Sequence, residues 1–499
     1  MTSTSVTARV ATRAPMYSVH PYRKTRVPTR YQLHLMNRMG CGWSPGTWRQ
    51  MRRAGGPAKW FEQQLRPGRV AENPRAKAVD DWFPQRRHGP AQRWENQTRM
   101  RYEAWEYARD LGSYTMLKRM YSNRQVLESM VDLWSDHFHI PANGDVSWVF
   151  RDDYDRTVRK YALGRFDVLL EAVTLHPAMV VFLDNHLSIR NAPNENHGRE
   201  LLELHTVGRS SGYTEAMVKD SAKILSGYTV DVRKTWQAHY DADRHTLGPV
   251  QVLGFTHGNA QADGRDLTRA YLRYLAHHPA TARTIARKLA TRFVSDTPSA
   301  TLVEHLATVF RRSGTDIRAT LRALVAHKEF RRSVGRKVRK PADDLVHTAR
   351  VLGVKAHRPQ RAPAFGIVIA YAHGGDPLYS WPRPDGAPQH NAAWSSASRM
   401  LASFRMHWNL AGGYWPREAV TYRSPRSWLP QRRIRFDAYV DHLCRLVHGR
   451  GSTPVLLQAA VQATGCRPGE IVTRDHAVAN WQFARLMAVL LDSPTHMTR

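Results

Sequence analysis

The chain has 499 residues, 42% hydrophobic and 23% charged, a balance that excludes a disordered polymer and allows two or three domains or one large unit. Lys and Arg number 74 against 42 acidic residues, and a net charge of +32 attracts nucleic acid, anionic lipid or acidic polymers. No apolar run approaches the about 20 residues that cross a bilayer, and three scattered cysteines without a CxxC pair argue against a disulfide framework or a thiolate zinc site.

Residues 1–29 read as a flexible basic arm with no apolar signal core, so a cytoplasmic protein is expected. Two short helices follow. Ser44 caps the first, with Pro45 at its first position and Gly55-Gly56 as its stop; Pro57 starts the second, and Arg66-Pro67-Gly68 ends it. From Ser122 onward Val126, Leu127, Met130, Val131, Trp134, His137 and Phe138 recur at helical spacing on one face. Asp132 and Asp136 fall on another, and Pro141 ends the run. "HPA" at His176 and again at His278 sets proline at two further helix starts. Thr214 caps a helix with Val218, Ala222 and Leu225 as its buried stripe and Gly227 as its stop.

"YTVDV", "WQAHY" and "VQVLGF" alternate or are β-branched, which predicts a small antiparallel β insertion near 228–256. Helical signals resume from about 266 to 353 and again near the C-terminus, with the Pro/Gly-rich loop "YSWPRPDGAP" between them. Basic residues spread through "RYLAHHPATARTIARKLATRF" and similar runs read as solvated faces. The expectation is a mainly α, multi-helical globular protein with a small antiparallel β insertion. Its parts are the arm, a helical domain over 30–415 and a helical region over 416–499 packed on it. Of the thiols, Cys41, Cys444 and Cys466 are expected to be idle, a Cys444–Cys466 contact being the one alternative.

The densest chemistry is "NENHGRELLELHT", residues 194–206. On a helix, at about 100° per residue, Asn196, Glu200 and Glu203 share a stripe, while His205 points roughly 160° from Glu203. A site must therefore be built between segments. His137 and His139 of "SDHFHI", with Glu200, make a mixed N/O set suited to a divalent metal. In a catalytic reading Glu200 is the base or ligand, Glu203 tunes it, and His205, His137 or His139 is the second proton carrier. Asn194 and Asn196 then stabilise an anionic intermediate, Arg190 and Arg199 hold a carboxylate or phosphate, and Tyr379 and Trp381 stack a saccharide or flat ligand.

A plainer alternative stands beside each role. These are a core histidine for His137, a surface Arg199–Glu203 pair, a buried polar clamp around Glu200, and an aromatic plug at Tyr379 and Trp381. No G-x-S-x-G, H-E-x-x-H, P-loop or dinucleotide fingerprint is present, nor an RNP, KH or finger motif for specific nucleic-acid binding.

Taken together, "LHLMNRMGCGWSPGTWRQMRRAGGPAKWFEQQL", "MVDLWSDHFHI", "NENHGRELLELHTVGRSSGYTEAMVKDSAKILSGYTV" and "WPRPDGAPQHNAAWSSASRML" resemble the domain-of-unknown-function 1800 family of bacterial proteins. The likeness runs in order from about residue 31 to at least 410. It implies an α-rich fold and one extended functional unit, and it supplies no reaction. The chain departs from the pattern at Ser135-Asp136, where relatives look like "WHNHF", and at His205, where an aromatic is common. Many relatives look exported, whereas no twin-arginine signal is visible here. Two functions compete on these grounds. One is a hydrolytic enzyme with a metal-assisted polar site where 134–139 and 190–205 meet, acting on an anionic or saccharide substrate. The other is a non-enzymatic basic protein that binds an acidic polymer or a protein partner.

Overall fold

Local rules written in the sequence set the helix boundaries. Ser44 accepts the Thr47 N–H at 3.1 Å to start the Pro45–Arg53 helix, and Gly56, at φ 112°, leads into the Pro57–Gln64 helix. Thr214 caps the Glu215–Leu225 helix, whose Val218, Ala222 and Leu225 are buried. The two "HPA" starts carry a cap of another kind. The imidazole Nδ1 of His176 accepts the Ala178 N–H at 3.1 Å, and that of His278 accepts the Ala280 N–H at 3.2 Å. These open the Pro177–Phe182 and Pro279–Phe293 helices.

The computed structural model describes residues 17–358 and 378–499, and over these the chain is mainly α-helical, its strands confined to two-stranded antiparallel pairs. Residues 1–16 of the expected arm and the apolar run "FGIVIAYA" lie outside the described residues. Tyr228–Val230 pairs with Ala238–Tyr240, and Val250–Val252 pairs with Phe255–His257. "VQVLGF" turns back on itself because Leu253 and Gly254 both take positive φ, 48° and 90°, as a type I′ turn requires. Two further pairs lie beyond the expected insertion: Lys355–Ala356 with Val420–Thr421, and Ile434–Arg435 with Ile471–Val472. No described helix is long and apolar enough to cross a membrane.

One apolar core runs from Leu35 to Leu491, so residues before and after 416 share it. The described part of the arm, 17–29, is non-helical up to the Thr29 cap and is pinned to the Phe436–His448 helix. There the Tyr22 N–H donates to Asp441 at 2.7 Å, and the Thr25 hydroxyl meets His442 Nδ1 at 2.6 Å.

The Gln125–His137 helix lies deep within this core. Its apolar stripe is buried as the spacing predicts, apart from the partly buried Leu127, but Asp132, on the face expected to be polar, is buried too. A network of ion pairs makes that burial tolerable. Arg119 of the Ala104–Tyr121 helix and Arg292 of the Pro279–Phe293 helix each bridge Asp132 and Asp343, the latter on the Pro341–Leu352 helix. Arg119 lies 3.1 Å and Arg292 2.7 Å from Asp132, and Arg499 lies 2.9 Å from Asp343. Lys340 reaches Asp132 at 3.7 Å and also pairs with Asp136. Burial alone would raise the Asp132 carboxyl, but Lys340, Arg119 and Arg292 hold it below the usual carboxylate range. Asp343 is held down in the same way, by Arg499, Arg292 and Arg119 against its burial.

Removing one partner of such a network leaves buried charge without compensation. Asp343→Asn is expected to lower the unfolding free energy by about 3–5 kcal/mol. Urea denaturation measures it, and a loss no larger than that of an exposed pair, up to about 1 kcal/mol, would show that the network carries no structural weight.

Candidate functional site

Residues 194–206 do form a helix, Glu195–Glu200, which widens into a π-helical turn over Leu201–His205. Asn194 is its N-cap, accepting the Asn196 N–H at 2.9 Å while its own N–H donates to the Ser188 hydroxyl at 3.0 Å. Gly198 marks the crossing with the Glu215–Leu225 helix. A Cβ there would lie 2.8 Å from the Ala222 nitrogen, and the Gly198 carbonyl accepts the Ser221 hydroxyl at 3.2 Å. His197, Leu201, Leu202 and His205 face the core.

The outer face holds the charges. Arg199 pairs with Glu215 at 2.6 Å and Glu195 at 3.4 Å rather than with Glu203, the partner its spacing suggests. Glu203 pairs instead with Arg209 at 2.7 Å. Arg190 donates to the Asp243 carbonyl at 3.1 Å and sits apart from the motif's inner face. Glu200 is half-buried, and burial followed by Glu203 raises its carboxyl.

His137 meets the motif through backbone. Its Nε2–H donates to the His205 carbonyl at 3.1 Å, which leaves Nδ1 as acceptor for the Lys288 amine at 2.7 Å. Burial, and then the Lys288 charge, keep this ring neutral. The His205 ring lies 6.2 Å from it, pushed down to about 3 by burial, then by His197 and Lys288. His139 donates its Nε2–H to the Trp381 carbonyl at 2.8 Å.

The trio His137, His139 and Glu200, expected to hold a divalent metal, is therefore not brought together. Both His137 nitrogens are engaged, and among the described residues these three do not form a group with ligand atoms within 4.8 Å of one another. The physical reason is that a lysine amine already takes the free lone pair of His137.

Among the described residues two other groups do meet that spacing, Asp344–His407–His496 and Cys466–Glu470–His476. The first is filled by its own protons. His407 donates to Asp344 at 3.2 Å and to Asp492 at 2.7 Å, while Arg399 at 3.1 Å and Ser403 at 2.6 Å occupy the other Asp344 oxygen. Burial would lower His407, but Asp344 and Asp492 raise it to about 9. A value raised above the unfolded one, about 6.5, means stabilisation fully present below that pH and lost as pH rises through about 9. Denaturation of the parent and His407→Gln across this range checks it: the decline should be present in the parent and missing in the variant.

On the amine side of His137, Lys288 opens onto a cleft of about 830 Å³. The Pro279–Phe293 helix supplies Arg283, Thr284, Arg287 and Lys288; Asp136, the 207–211 segment and the 383–390 loop supply the other walls. Burial pulls the Lys288 amine down to about 8, although Asp136 and Asp385 oppose it.

The loop is held in place at several points. Tyr379 is buried, its ring beneath the Arg151 guanidinium at 4.5 Å and its hydroxyl 3.3 Å from Thr115. It plugs the core, the plainer of the two readings its sequence allowed, and presents no stacking surface. Trp381 is half-buried, with its indole N–H on Asp385 at 3.2 Å. Gly386, at φ 70°, lies against the Asp136 backbone where no Cβ fits, and Gln389 donates to Asp136 at 2.7 Å. Lys337 donates to the Gln389 carbonyl at 2.6 Å.

Sequence reasoning passed over Asp136, Arg283, Arg287, Lys288 and Arg383. The available signal was Arg283, Arg287 and Lys288 at helical spacing behind the His278 cap, one basic run among many.

No curated protein and no solved structure matches the chain. Residues 34–498 match the family described as Protein of unknown function (DUF1800), and the chain belongs to that family.

Proposed function

We propose that the protein binds a small anionic molecule, carrying carboxylate or phosphate groups, in this cleft, and that Lys288 exchanges a proton with it. The observation that carries the reading is the Lys288 amine 2.7 Å from the lone pair of a neutral His137, beside Arg283 and Arg287. Guanidinium forks match carboxylate and phosphate oxygens in pairs, and a partly desolvated cleft strengthens those bonds. An amine at about 8 rather than 10.5 offers about two orders of magnitude more free base near neutral pH. His137 acts as a positioning residue, since accepting one amine N–H fixes where the remaining lone pair points.

As a general base for water beside a bound ester, Lys288 suits the hydrolytic reading. It takes the base role the sequence suggested for Glu200. Glu203 is committed to Arg209, and the buried, neutral His205 ring has no charge to trade at neutral pH.

Reductive labelling with pyridoxal phosphate and borohydride tests this, because the probe joins an aldehyde to a phosphate. Label is expected first on Lys288, suppressed by inorganic phosphate and slowed about 10-fold or more when Arg283 and Arg287 become alanine. Label spread evenly over surface lysines and indifferent to phosphate would sink the reading.

The net charge of +32 favours a second reading, an acidic-polymer surface. Part of that charge is interior, as at Arg38, Arg93, Arg119, Arg292 and Arg339. Affinity for a polyanion such as heparin should fall steeply with salt; absent or salt-insensitive binding removes it.

A further inference from the structure

The geometry points to a second site, independent of the cleft: Cys466, Glu470 and His476 form a surface site for a thiophilic divalent cation such as zinc. These residues stand on one short stretch whose shape is fixed from both sides. Gly465, at φ 73°, ends the Pro454–Thr464 helix and turns the chain toward Cys466. Ile471–Val472 pairs with Ile434–Arg435 between Glu470 and His476, and His476 caps the short Ala477–Ala479 turn, so the stretch is tethered at both ends.

One ligand atom from each of the three residues lies within 4.8 Å of the other two. Tetrahedral zinc, with bonds of about 2.0–2.3 Å, sets its ligands roughly 3.3–3.8 Å apart. Closing the remaining gap takes side-chain movement of about an ångström and no change of fold. Glu470 is already oriented, its Oε2 accepting the Arg467 N–H at 2.9 Å and its Oε1 facing His476 Nε2 at 2.8 Å. The Cys466 thiol is buried at 5% exposure, with the Thr464 carbonyl 3.9 Å from its sulfur. The Glu470 side chain is 38% accessible, which leaves a path for the ion and room for water as a fourth ligand.

The protons balance. On binding, the Cys466 thiol loses its proton to solvent, and sulfur binds as thiolate. His476 now donates Nε2–H to Glu470 while its Nδ1 accepts the Val478 N–H at 3.3 Å. Ligation through Nε2 moves that proton to Nδ1, and the Val478 N–H turns to water at the helix start. One proton leaves for each ion bound, so affinity rises with pH. A scan for paired cysteines passes the site by, because a single thiolate supplies the soft ligand.

Titrating the chelator-treated full chain with Co²⁺ tests the site. The expected result is a saturable thiolate-to-cobalt charge-transfer band that Zn²⁺ displaces. Cys466→Ser abolishes the band. His476→Asn, which keeps a good helix cap, weakens binding more than about 100-fold. Cys444→Ser, altering an interior thiol, leaves the titration unchanged. Circular dichroism confirms that each variant is folded. Failure to develop the band, or a band that persists in folded Cys466→Ser, overturns the proposal.

Discussion

Everything around the cleft depends on the buried pairing of Asp132 and Asp343 with Arg119, Arg292 and Arg499. Taking carboxylates and guanidiniums out of water is unfavourable, and only dense mutual pairing offsets it. That requirement fixes how the Ala104–Tyr121, Gln125–His137, Pro279–Phe293 and Pro341–Leu352 helices approach one another, since each contributes at least one member. Apolar packing alone would tolerate some sliding between these helices; a shared pair of carboxylates tolerates far less. The Lys288–His137 contact belongs to two of the same helices, so its geometry follows from the network.

The parts of this arrangement legible in the sequence are those decided within a few residues. Caps at Ser44 and Thr214, the stripe from Val126 to Phe138, and strand-like content near 228–256 all depend on local chemistry. The mainly α character and the family both stand. Helical spacing also sets His205 and Glu203 on different sides, and the structure buries His205 while Glu203 pairs with Arg209. What spacing could not supply is partner choice over long separations. Asp132 looked like a polar-face residue because nothing nearby in the chain announces Arg292 or Lys340 as its partners.

The same limit governs the candidate site. "NENHGRELLELHT" drew attention because its polar residues are adjacent in sequence, yet packing separates them into a cap, a helix crossing, an outer ion-paired face and two buried imidazoles. The cleft draws on segments that are unremarkable alone: a basic helix face, the turn after the motif, and a proline-rich loop. The neutral state of His137 is likewise a product of assembly, because it needs the His205 carbonyl on one nitrogen and Lys288 on the other.

Asp136 links these levels. Its carboxylate joins Lys340 and receives Gln389, and its backbone lies against Gly386. The loop wall is thus secured by the same residue that extends the ion network, before any ligand arrives. Under the proposed reading, a ligand entering the cleft meets a wall whose conformational entropy was already lost during folding. Binding then forfeits mainly the ligand's own freedom, and ligands are selected by fit to a fixed shape more than by their power to order the loop.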